Sequence, residues 1–63
     1  METKEVLLQL RKAHDLTQEE MAKHLLVTRQ AVSRWETGET IPNAETLKLI
    51  SKEFHVSINT LLG

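Results

Sequence analysis

Sixty-three residues, 40% hydrophobic and 27% charged with a formal net charge of −1, set the scale of one small domain of ordinary globular composition. With no cysteine there is neither a disulfide framework nor a zinc finger to stabilise it, and with Trp35 and Phe54 as the sole aromatics an aromatic-rich β module is excluded. The longest uncharged apolar run, Leu25-Leu26-Val27, is far short of the roughly 20 residues of a membrane span, and the acidic start has no signal-peptide pattern, so a soluble cytoplasmic protein is expected.

In chain order the pattern is helical throughout. Val6, Leu7 and Leu10 sit at helical spacing, with Leu8 and Val6 surplus to the stripe and expected to be half-exposed or in contact with another subunit. A break follows at His14-Asp15. Thr17-Gln18-Glu19-Glu20 has the Thr-x-x-Glu form of a capping box, and Met21, Ala22 and Leu25 make an apolar stripe behind it, which predicts a helix over 17–25. Leu26-Val27 leaves room only for a tight turn before Thr28, a second cap residue. The next helix, 28–37, carries Val32 and Trp35 inward at i, i+3, which turns Arg29, Gln30, Ser33 and Arg34 partly or wholly outward. Gly38 ends it. Ile41-Pro42-Asn43 is a connector with Asn43 as the next cap; Leu47, Ile50 and Phe54 mark a fourth helix; Ser57 caps a short fifth one holding Ile58, Leu61 and Leu62. The expected architecture is all-α, five short helices around one core, with a single domain over 1–63.

Two helices joined by so short a turn, at about 17–37, must cross steeply. That is the helix-turn-helix arrangement, whose second helix can enter the DNA major groove. The overall charge is against nucleic acid, yet the stretch from Met21 through Trp35 holds Lys23, Arg29 and Arg34 and no acid. Gln30 has an amide able to bond adenine at N6 and N7, and Arg29 or Arg34 can fork onto guanine O6 and N7. Ser33 can donate to a base or phosphate. Gln18 opens the preceding helix, where free backbone amides favour a phosphate.

Leu16-Thr17-Gln18-Glu19-Glu20-Met21-Ala22, followed by Val27-Thr28-Arg29-Gln30-Ala31-Val32-Ser33-Arg34-Trp35-Glu36-Thr37-Gly38, resembles the phage-repressor and Cro type of helix-turn-helix protein, the XRE family. The resemblance runs from about Leu7 to Leu62, with Ile41-Pro42 and Val56-Ser57-Ile58-Asn59-Thr60-Leu61-Leu62 matching the later helices. It implies the compact lambda-repressor-like fold and a sequence-specific transcriptional regulator, a repressor by preference. By the same resemblance Gln18 anchors a phosphate and also orients Gln30 in some relatives, with Thr28, Thr40 and Asn43 further phosphate contacts. It assigns base reading to Arg29, Gln30, Ser33 and Arg34. It pairs Arg11 with Glu36, a partly exposed ion pair expected to contribute under ~1 kcal/mol. It further implies a homodimer on an inverted-repeat operator, with Ile58, Leu61 and Leu62 as dimer contacts unless Leu61 or Leu62 closes the core. There are two departures. Leu26 stands where relatives often have glycine or asparagine at positive φ, at a cost of roughly 1–2 kcal/mol if that geometry is kept, and His55 stands where they often have glycine.

Other chemistry is poorly served. His14, His24 and His55 lack the spacing of a metal cluster and read as surface residues, no glycine-rich phosphate loop exists, and neither an enzyme nor a cofactor is expected. The rival reading is a protein-interaction or antitoxin-type module in which DNA binding is secondary. Against it, a protein interface favours exposed large apolar residues over an outward Arg, Gln, Ser, Arg set. The chain reads equally well as a complete small regulator or as the head of a longer one.

Overall fold

The computed structural model describes residues 2–62. Five helices follow in order: α1 Thr3–Ala13, α2 Gln18–Leu25, α3 Arg29–Thr37, α4 Ala44–Phe54 and α5 Ile58–Leu62. Each predicted start is made by the residue that the sequence marked for it. Thr17 Oγ1 accepts from the Glu20 amide at 3.1 Å while the Thr17 amide donates to Glu20 Oε1 at 2.8 Å, a complete capping box. Thr28 accepts from the Ala31 amide, Asn43 from the Thr46 amide and Ser57 from the Thr60 amide, so three more helices begin on a side-chain oxygen.

The ends of α1 to α4 share one device. The amides of Leu16, Val27, Glu39 and Val56 each reach back five residues, to the carbonyls of Arg11, Ala22, Arg34 and Ser51. In each case the residue just before the returning amide, Asp15, Leu26, Gly38 or His55, has positive φ. This is the Schellman closure, which needs a left-handed residue and commonly seats an apolar side chain after it. Leu16, Val27 and Val56 occupy that following position and pack half-buried on the core. Of the four left-handed residues, only Gly38 is free of Cβ strain. A Cβ built there would also lie 3.0 Å from Cδ of Lys4, whose stem crosses from α1 to the end of α3.

The core takes residues from every helix: Leu7 of α1, Met21 and Leu25 of α2, Val32 and Trp35 of α3, Ile50 and Phe54 of α4, and Leu61 of α5. One expectation needs correction and one alternative is decided. Val6 is not half-exposed but buried at 7%, because α1 packs with both α3 and α5 and so buries a wider stripe than Leu7 and Leu10 alone. Leu61 is fully buried and cannot contact a second copy; it closes the core, leaving Ile58 and Leu62 as the exposed apolar residues of α5. Among the described residues, no helix is long and apolar enough to cross a membrane.

Candidate nucleic-acid interface

The connector between α2 and α3 is only residues 26–28, a turn of the length that the helix-turn-helix arrangement uses. Burial of Val32 and Trp35 fixes the roll of α3. Arg29, Gln30 and Arg34 consequently stand exposed, and Ser33 lies half-buried beside them. The first turn of α3 holds no acidic residue, so its positive dipole end and free amides are not neutralised from within the helix. The Thr28 hydroxyl accepts a bond at that end and keeps its own proton to donate. Thr40 and Asn43 are exposed in the loop before α4; the Asn43 carbonyl oxygen serves the cap, leaving its amide protons to face solvent.

Arg34 is not a free cation. Its Nε lies 3.4 Å from Glu39 Oε2, with the two side chains 56% and 67% exposed. The sequence offered no sign of this pair, because Glu39 follows the helix and returns beside Arg34 only through the Schellman turn at Gly38.

Behind the exposed residues lies a network of charge. Arg11 Nε donates to Glu36 Oε2 at 2.6 Å and Arg11 Nη2 to Glu36 Oε1 at 3.1 Å, while Arg11 Nη1 donates to the Leu16 carbonyl at 2.9 Å. The pair is more buried than a surface ion pair, with side-chain exposures of 17% for Arg11 and 7% for Glu36. The hydrogen bond to Glu36 holds the Arg11 guanidinium above its ordinary value, with burial opposing in part. One guanidinium thus ties α1 to α3 and to the residue preceding the Thr17 cap.

Gln18 joins this network. Its Nε2 donates to Glu36 Oε1 at 3.0 Å. The resemblance suggested Gln30 as the partner of Gln18; here the charged carboxylate takes the amide, as the stronger acceptor of the two. Neither the spacing of residues 18 and 36 nor any local motif signals the contact. The three histidines are exposed, and the His14 ring meets Phe54 edge-on with centroids 5.0 Å apart. A separate shallow cleft of about 320 Å³ opens where α1, α3 and α5 meet, with Trp35 on its floor and Ile41 and Leu62 at its lip.

A closely joined pair of helices, a cap at the start of each and an outward polar set on the second define a helix-turn-helix domain. Residues 7–61 match the HTH_3 helix-turn-helix family, and the chain belongs to it, as a domain of the XRE, phage-repressor type. It is 53% identical over 63 residues to the HTH-type transcriptional activator BcrR of Enterococcus faecalis, covering all of this chain and 31% of that protein. It is 35% identical over 63 residues to the cryptic phage CTXphi transcriptional repressor RstR of Vibrio cholerae, covering all of this chain and 56% of that protein. Among solved structures it is similar to the P22 c2 repressor in complex with a synthetic operator, with a TM-score of 0.91 and 34% identity over 98% of this chain and 94% of that one. The chain spans about a third of the activator's length and about half of the phage repressor's.

Proposed function

We propose that residues 1–63 form a single DNA-reading domain of a transcriptional regulator, binding double-stranded operator DNA in the cytoplasm by placing α3 in the major groove. The observation that carries this reading is the exposed Arg29, Gln30 and Arg34, with half-buried Ser33 beside them, on an α3 whose first turn has no acid, next to Gln18 at the start of α2. In this reading Gln30 and the two arginines meet base edges and Ser33 supports them, whereas Gln18, Thr28, Thr40 and Asn43 touch phosphates. Two copies bind an inverted repeat with half-sites about one helical turn apart, and the exposed Ile58 and Leu62 of α5 meet their counterparts across the two-fold axis. The relatives include an activator and a repressor. The sign of regulation is therefore assigned to where the operator lies relative to the promoter, with repression following where they overlap.

The test is selection of duplexes from a random pool at two salt concentrations. An enriched inverted repeat is expected. Gln30→Ala should then cost about 1–3 kcal/mol and relax preference at one base pair, while Gln18→Ala weakens all duplexes alike. Failure to enrich any sequence at the lower salt would overturn the reading in favour of a protein-interaction module.

A further inference from the structure

We propose that Glu36, a residue with no access to DNA itself, is a positioning residue that holds Gln18 ready for a phosphate. The proposal rests on the DNA-binding reading above. Glu36 sits late in α3 with its side chain 7% exposed, so its carboxylate cannot be a contact surface. Yet its Oε1 accepts from two helices at once, from Arg11 Nη2 of α1 at 3.1 Å and from Gln18 Nε2 of α2 at 3.0 Å.

A primary amide has two protons. One proton of Gln18 is committed to Glu36, which leaves the second to donate outward from the first residue of α2, beside the free amides of the helix start. A glutamine side chain is rotamer-rich, and fixing it before DNA arrives removes an entropic penalty that binding would otherwise bear. The charge balance at Glu36 itself fits the same role, while Glu19 and Glu20 in the first turn of α2 are exposed and screened by solvent. A lone carboxylate behind a phosphate site would repel the ligand, but Arg11 meets both oxygens of Glu36 and cancels its field. The Arg11 bond to the Leu16 carbonyl fixes the backbone just before the Thr17 cap, so scaffold and side chain at this helix start are set by one network.

The experiment measures affinity for an arbitrary 20-base-pair duplex at low salt, for the parent chain, Gln18→Ala, Glu36→Gln and the double variant, at a temperature where circular dichroism shows each folded. Each single change is expected to weaken binding about tenfold, with the double variant no weaker than Gln18→Ala alone. A purely structural Glu36 would give losses that multiply, and that result, or an unchanged affinity for Glu36→Gln, overturns the proposal while leaving DNA binding intact. If Glu36→Gln does not fold, NMR relaxation of the Gln18 side-chain amide in the parent chain decides. An ordered amide that stays ordered on adding duplex supports the positioning role, and a mobile one in the free protein overturns it. A parent chain that binds no duplex at low salt overturns the functional reading, and this role with it.

Discussion

Arg11 and Glu36, 25 positions apart in the chain, meet through two parallel charge-assisted hydrogen bonds, Nε to Oε2 at 2.6 Å and Nη2 to Oε1 at 3.1 Å. Bidentate geometry of this kind is the strong form of an arginine–carboxylate contact. The pair is part-buried, which places its loss toward the lower end of the range for buried ion pairs. Removing one partner strands a charge that water reaches poorly, and such losses run to about 3–5 kcal/mol. A domain of this size has a total stability of roughly 3–9 kcal/mol, at ~0.05–0.15 kcal/mol per residue.

Arg11→Ala is therefore expected to cost about 3 kcal/mol and to lower the thermal midpoint by roughly 15 °C. Pairing it with Glu36→Leu should recover part of the loss, because the double variant leaves no unpaired charge. Thermal unfolding followed by circular dichroism checks both, and a shift below about 4 °C for Arg11→Ala would place the pair among ordinary surface contacts.

Leu26 adopts φ 57° and ψ 41° and is 88% exposed as a residue, so it bears left-handed strain and gains almost nothing from burial. Relief of roughly 1–2 kcal/mol in Leu26→Gly is opposed by ~0.4–1 kcal/mol from a floppier unfolded chain. A net gain of between zero and about 1.5 kcal/mol is expected, seen as a rise of several degrees in the midpoint. A lower midpoint would mean that the leucine makes a stabilising contact in solution.

The Thr17 amide and hydroxyl hold the Glu20 carboxylate below its ordinary value of 4.5, the backbone hydrogen bond contributing most. With the folded value depressed, its contribution is fully present above the unfolded value and is lost as the pH falls through the folded one. Urea titrations from pH 7 down to pH 3 should therefore show a smaller loss of stability in Glu20→Gln than in the parent chain. Parallel curves would show that the carboxylate half of the capping box adds nothing.

The exposed Arg34–Glu39 pair is cheap to open, since contacts of this kind contribute at most about 1 kcal/mol. Glu39→Gln should leave stability within about 0.5 kcal/mol. In the DNA-binding reading it also removes a negative charge beside a base-reading arginine. Affinity for arbitrary duplex should rise several-fold and the salt dependence steepen by about one counterion. Unchanged affinity would mean that Arg34 points away from the duplex when bound.

Four of the five helix starts are readable from the sequence because each is signalled locally by one oxygen-bearing residue, at Thr17, Thr28, Asn43 and Ser57, whereas α1 begins after Glu2 with no side-chain cap bond. The outward placement of Arg29, Gln30 and Arg34 was equally plain, since the i, i+3 spacing of Val32 and Trp35 fixes which side of α3 is buried. Left-handed closure was anticipated at Leu26 and His55 but not at Asp15, where an Asp after a His reads as a break and not as a defined turn. The spacing in α1 misplaces Val6 for another reason: one helix's pattern does not reveal how many neighbours it packs against. The Gln18–Glu36 contact and the Arg34–Glu39 pair depend on how helices and turns come together in space, and no spacing rule encodes that.

Gly38 meets two constraints of different stiffness. Its φ of 83° is unforgiving to an ordinary side chain, whereas the atom that a Cβ would crowd belongs to the flexible stem of Lys4. Space can therefore be ceded there, but backbone angle cannot. In a library randomised at positions 4 and 38 together, shortening the lysine should not restore Gly38→Ala or Gly38→Val, while asparagine at 38 should survive whatever occupies position 4. Sequence drift at this corner is thus channelled by torsion and hardly at all by volume, so covariation between the two positions should be faint even though their atoms nearly touch.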